Sequence, residues 1–348
     1  MGGGAATPDG YALVAAHLPA VAVAVLIPTL ALARRVGRGV LVGVAAIVGG
    51  VLYPVVGNWV WGGGWLALLG ANAGLGHGFV DLGGSATLHI LGASTALAGI
   101  LIFGRHRFAP RPDEPIELPP AHFPLFVLMG ALLAPAGWLG LVLANPLLTP
   151  DIAPGLVAIN LVLAAAGGAA PGLLYVWLAT GQVDVQLAAR GLIAGLAAAG
   201  AGCGFVPPIA ALAAGLLAGA ALPPILYWVE QELRWHDPNA TLATHGAPGL
   251  LGGLWLALFA DGRWGVGWNG VSSRFGLLQQ GVAGLFVAPG YASDIPGQLW
   301  AQLAGLISVL VLALGIPLLV FGLARAALAV AHWVRPDRRT VAYRARKR

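Results

Sequence analysis

The chain has 348 residues, of which 58% are hydrophobic and only 9% charged, and its mean hydropathy is +0.84. A soluble domain carries about 25% charged residues, so this composition excludes a chain that solvates its own surface and requires lipid around it. The formal net charge of +5 points to no nucleic-acid partner, because the basic residues cluster beside apolar stretches, as membrane-flanking charges do.

A spanning helix needs about 20 mostly apolar residues. In chain order, nine stretches meet or approach that length: 11–33, 40–60, 85–103, 122–145, 154–179, 189–204, 207–229, 244–260 and 297–330. Residues 1–10 have no positive n-region, and the apolar run after them exceeds a signal sequence, so the first stretch reads as a retained helix. The sixth is short and rich in Gly and Ala, which suits packing on other helices rather than on lipid. The ninth is longer than one crossing. An all-α polytopic membrane protein of about nine transmembrane helices follows, with one transmembrane domain over 1–334 and a basic tail over 335–348.

Orientation follows from the arginines. With the N-terminus outside, the inner side receives Arg34, Arg35, Arg38, Arg105, Arg107, Arg111, Arg190, Arg234 and the tail from Arg335, and the outer side only Arg263 and Arg274. The tail reads as a topology anchor on anionic headgroups. All 13 acidic residues fall at or beyond span ends. Ion-coupled pumps commonly hold carboxylates at membrane depth, so a carboxylate-driven antiporter is disfavoured. Cys203 is the only cysteine, which leaves neither an intrachain disulfide nor a multi-thiolate metal site.

Histidine does lie inside the spans. His89 sits in the third, within Asp81-Leu-Gly-Gly-Ser-Ala-Thr-Leu-His89, and His245 opens the eighth, within Thr244-His-Gly-Ala-Pro-Gly. Intramembrane ionisable residues are costly and default to functional hypotheses. The two helices are an odd number of crossings apart and so run antiparallel, the relation an inverted repeat produces. Two histidines so placed can meet, one nitrogen donating and the other accepting. The alternative is two unrelated buried histidines, each satisfied by backbone carbonyls.

The words around them carry more. Asn58-Trp-Val-Trp61-Gly-Gly-Gly-Trp-Leu, then Asp81-x-Gly-Gly-Ser-x-x-x-His89, then Asp237-Pro238 before His245-Gly246, and Phe259-Ala-Asp-Gly-Arg-Trp-Gly-Val-Gly-Trp-Asn-Gly-Val resemble the ammonium transporter (Amt/Rh) family, in order, over residues 11 to 330. The resemblance implies an inverted-repeat fold and transport of ammonium or ammonia across the cytoplasmic membrane. It places the family's paired pore histidines on His89 and His245, and its characteristic acidic residue on Asp81. It places the recruiting aromatic on Trp61, whose face attracts a small cation. Asp81 also suits a helix cap for the Gly-Gly-Ser turn, and Asp237 reads as a cap for the His245 helix. Trp59, Trp65, Trp264 and Trp268 read as interfacial anchors.

Relatives have eleven spans, and the resemblance leaves the first two without a counterpart. The two aromatic residues that close the outer pore in the family align with Ala20 and Leu141, and its recruitment-site serine is absent from Trp138-Leu-Gly-Leu-Val-Leu-Ala-Asn145. The resemblance further implies a homotrimer, a cytoplasmic regulatory protein as partner, no cofactor, no metal and no enzymatic activity. Three other readings stand beside transport: a transport-poor ammonium sensor on the same scaffold, a gene whose first helices lie upstream of Met1, and an unrelated neutral-gas channel.

Overall fold

The structure is a computed structural model that describes residues 8–104, 123–237, 239–271 and 280–334. Nine long helices run through it: α1 Pro8–Leu32, α2 Arg38–Trp61, α3 Ser85–Phe103, α4 Phe123–Leu143, α5 Pro154–Thr180, α6 Val185–Ala199, α7 Pro208–Glu232, α8 Leu242–Phe259 and α9 Gly297–Val334. Each contains a stretch long and apolar enough to cross a membrane. Among the described residues there is no β-strand, only an isolated bridge between Asp261 and Ala283. The loop arginines 105, 107 and 111, Arg274, and the tail from Arg335 lie outside the described residues, as does Pro238.

The helices match the nine apolar stretches to within five residues, and α6 shows why ends shift. It begins at Val185 rather than 189, because the Asp184 carboxylate accepts the Gln186 and Leu187 N–H groups at 2.9 and 3.0 Å, a cap worth about 1 kcal/mol. Glycine lets α5 approach α6 and α7 closely: Gly168 backs onto Gly191, Gly195 and Gly219. Small residues at such spacing serve where lipid supplies no hydrophobic drive between helices. The most deeply buried helix is α3, around which α1, α8 and α9 pack.

The connection into α3 is the fold's distinctive element. Residues 76–84 are non-helical yet almost wholly buried. Irregular backbone at membrane depth is tolerated only where protein satisfies its polar groups. Here side chains from distant helices do so. On α9, Gln302 accepts the Val80 N–H and donates to the Val80 carbonyl, both at 2.9 Å. Gln298 accepts the His77 N–H at 2.9 Å and donates to Gly78 at 3.0 Å. Asn269 donates to the His77 carbonyl at 2.8 Å, Trp61 to Asp81 at 2.8 Å, Asn145 to Leu82 at 2.9 Å and Trp138 to Gly83 at 2.9 Å.

A buried group that loses its partner costs about 1–3 kcal/mol. Gln302→Leu would strand the Val80 N–H and carbonyl, and it would remove a bond to Gly253. The variant is expected to melt at least about 5 °C lower in detergent, as a thermal-shift scan would show.

Candidate functional site

His89 and His245 meet. Their Nδ1 atoms are 2.9 Å apart, and the rings lie nearly parallel, 5.1 Å between centroids and 14° between planes. His89 also stacks on the Trp138 indole at 4.9 Å and 15°. His89 is fully buried, and its Nε2 has no hydrogen-bond partner. Because the Nδ1 atoms share one proton, one ring donates and the other accepts there. One histidine is then left with an Nε2–H, the other with an Nε2 lone pair. Such a pair can offer one donor and one acceptor to a small hydride such as ammonia.

Local geometry brings them together twice over. His89 lies eight residues after Asp81, and His245 eight residues after Asp237. Both helices open with a wide π-type turn, Ser85–Ile90 and Leu242–Gly246, that carries the histidine. Both aspartates reach five residues ahead to bond the start of their helix. Asp81 Oδ2 accepts the N–H groups of Ala86 and Thr87 at 3.0 and 2.8 Å and the Thr87 hydroxyl at 2.8 Å, and Asp237 Oδ2 accepts the Leu242 N–H at 2.7 Å. The N-terminal turns of two antiparallel helices therefore face each other at the histidines.

Asp81 caps the start of α3 from the serine of the Gly-Gly-Ser turn onward, with Ser85, Ala86 and Thr87 all donating to it, while Gly84, at φ 83°, turns the chain into the helix. It is 1% exposed, so its carboxylate is held inside the protein and does not line a vestibule. Burial pushes its carboxyl up, opposed by the bonds to Thr87 and Ala86. Asp237 is equally buried, and Arg35 lies near it, bonded to the Gly104 and Trp235 carbonyls. Arg35 is therefore an internal tie between α1, α3 and the chain before α8, not a headgroup anchor.

Trp61, Ala20 and Leu141 line one narrow cleft, with room for about a single water-sized molecule, next to Leu82 and Asn145. The Trp61 N–H is committed to the Asp81 carbonyl, which fixes the indole and leaves its face to the cleft. Two residues there escaped the sequence reading. His17 on α1 lines the same cleft, with its Nδ1 2.7 Å from the Tyr53 hydroxyl and its ring 5.9 Å from that of Trp61. Its signal was available, since it is a histidine inside the first span, three residues before Ala20. Trp138 could not be singled out among twelve tryptophans without its partner ring. Trp268 is corrected: it is 1% exposed, edge-on to Phe205 at 5.1 Å, and no interfacial anchor. The turn that carries it tucks inward, where Asn269 holds the chain before α3.

Among the described residues, nine apolar helices around a paired His89 and His245 define a multi-pass membrane protein with a polar centre in an apolar core. The sequence profile of the Ammonium Transporter Family matches residues 4–335, and the chain belongs to that family. It is 33% identical over 224 residues to the ammonium transporter Amt2 of Archaeoglobus fulgidus, covering 64% of this chain and 48% of that protein. Against the ammonium transporter Amt1 of Methanocaldococcus jannaschii it is 34% identical over 217 residues, 60% of this chain and 50% of that protein. The chain thus spans about half the length of the curated relatives it matches. Its fold resembles a structure titled Sensor Amt Protein, with a TM-score of 0.67, 26% identity, and 87% and 68% of the two chains covered. It also resembles Mep2 of Candida albicans, with a TM-score of 0.66, 23% identity, and 86% and 61% covered.

Proposed function

We propose that this chain moves ammonium across the cytoplasmic membrane by passing neutral ammonia between His89 and His245. The observation that carries this reading is the 2.9 Å contact of the two Nδ1 atoms, which leaves one Nε2 donor and one Nε2 acceptor. Ammonia donates N–H and accepts at its lone pair, so it is matched by both. Electrostatics favours the neutral species. Each helix N-terminus carries about half a positive charge, and those of α3 and α8 converge here. A cation at depth is costly, whereas ammonia loses only modest hydrogen bonds. Ammonium would be held at the cleft against the Trp61 face and give up its proton to external water before entry.

Uptake of methylammonium or ammonium by cells lacking their own transporters tests this. Expression of the chain should raise uptake well above the empty-vector rate, and an unchanged rate would refute it.

The N-terminus lies outside and the arginine-rich tail inside, on the asymmetry of the arginines. Reporter fusions should find Arg348 cytoplasmic. A cytoplasmic regulatory protein and a homotrimer are the partner and the assembly expected from the family.

The cleft predicts a gain of function. One aromatic face holds a cation by about 0.5–2 kcal/mol. Ala20→Phe with Leu141→Phe would add faces on two walls and is expected to lower the apparent KM for ammonium by roughly tenfold. A double variant with unchanged KM would place recruitment elsewhere.

A further inference from the structure

The outer cleft holds a titratable group that neither the paired-histidine mechanism nor the aromatic recruitment site uses. His17 lines that narrow cleft, and it also lines an adjoining open depression bounded by Tyr53, Pro54 and Asn58. Only His17, Trp61 and Pro146 border both. The imidazole, the Trp61 indole and Pro146 thus frame the boundary between the depression and the cleft.

The ring is held in place. Its Nδ1 is 2.7 Å from the Tyr53 hydroxyl, with the Tyr53 ring at 6.1 Å and 70° and the Trp61 ring at 5.9 Å and 43°. A tyrosine hydroxyl can donate or accept, so Tyr53 can support either neutral tautomer. With Nδ1–H donated to Tyr53, the remaining Nε2 lone pair is free to accept an N–H from a cation lying against Trp61. Once Nε2 is protonated, the same side chain becomes a positive charge at the neck.

We propose that His17 is a ligand-contacting specificity residue. In its neutral form it accepts a hydrogen bond from ammonium at the neck, and in its protonated form it repels the ion and closes recruitment. The proposal rests on the transport reading above and concerns the step before entry.

The charged and titratable groups around His17 are few. On its own helix, Asp9 and Tyr11 precede it. From α2 comes Tyr53, and His89 on α3 does not line the cleft. Helix α4 carries no titratable residue, and it is followed by Asn145, which lines the cleft. Asp81 presents its carbonyl to Trp61 while its carboxylate faces Ala86 and Thr87. No carboxylate lines the cleft to offset a charge on His17.

The test is concentration-dependent methylammonium uptake across external pH of about 5 to 8, for wild type, His17→Phe, His17→Ala and Tyr53→Phe. Each protein would first be shown to be monodisperse after extraction. In wild type the apparent KM should rise at least tenfold as external pH falls through the imidazole range. His17→Phe should flatten that rise, with a KM weaker than the wild-type value at the alkaline end because the ring can no longer accept an ammonium N–H. His17→Ala should also be flat, with a weaker KM throughout. Tyr53→Phe should keep the pH response, because the titrating ring remains. A wild-type-like pH response in His17→Phe would overturn the proposal and leave the transport reading intact. A wild type that neither binds nor moves methylammonium would overturn the transport reading and this one with it.

Discussion

Replacing His89 with alanine is expected to reduce methylammonium uptake, per folded protein, by at least about tenfold. The substitution removes the acceptor or donor facing His245 Nδ1 at 2.9 Å, the stack on Trp138, and an Nε2 with no other partner. A net hydrogen bond is worth about 0.5–1.5 kcal/mol, and about 1.4 kcal/mol is a factor of ten. His245→Ala should cost a similar amount, since the pair offers its complementary donor and acceptor only as a unit. The double variant should therefore be little worse than either single one, a non-additivity of about 1 kcal/mol or more. Rates that simply multiply would show that the two rings act independently, which the shared proton forbids. Because His89 is fully buried, rates must be scaled to the monodisperse fraction.

Asp81 should separate architecture from charge. Asp81→Ala strands three donors, the Ala86 and Thr87 N–H groups and the Thr87 hydroxyl, at about 1–3 kcal/mol each. Little folded protein is expected. Asp81→Asn keeps an oxygen where Oδ2 accepts those bonds and removes only the charge. A full charge about 10 Å from a cation, at an effective dielectric of about 20, is worth about 1.7 kcal/mol. The asparagine variant should then fold, with its apparent KM for ammonium raised roughly tenfold. If its KM is unchanged, Asp81 acts only as the cap that sets His89 in register, and the cation is held by the cleft alone.

The helices and the histidine pair were legible because both rest on local rules. Length and apolarity alone mark the nine spans, and an ionisable residue inside one is conspicuous. The chain between Trp61 and α3 was not legible. Its burial depends on Gln298 and Gln302, more than 200 residues away, and no window along the sequence couples a loop to the helix that satisfies it. The tryptophans illustrate the same limit. Trp61, Trp138 and Trp268 look alike in composition, yet one bonds Asp81, one bonds Gly83 and stacks on His89, and one lies edge-on to Phe205. Partner geometry decides which is an anchor and which belongs to the site. His17 differs from these, for it obeyed the rule that marked His89, and its meaning emerged only with Tyr53 beside it.

The central claim, passage of neutral ammonia past His89 and His245, is tested most directly in proteoliposomes loaded with a pH-sensitive dye and exposed to an inward ammonium gradient. Ammonia that enters takes up a proton inside, so the lumen should become alkaline faster than in protein-free vesicles, and vesicles carrying the His89→Ala, His245→Ala double variant should fall back toward the protein-free rate. Alkalinisation by the wild type no faster than in protein-free vesicles, in protein that still binds ammonium, would contradict the account and leave a sensor rather than a conduit.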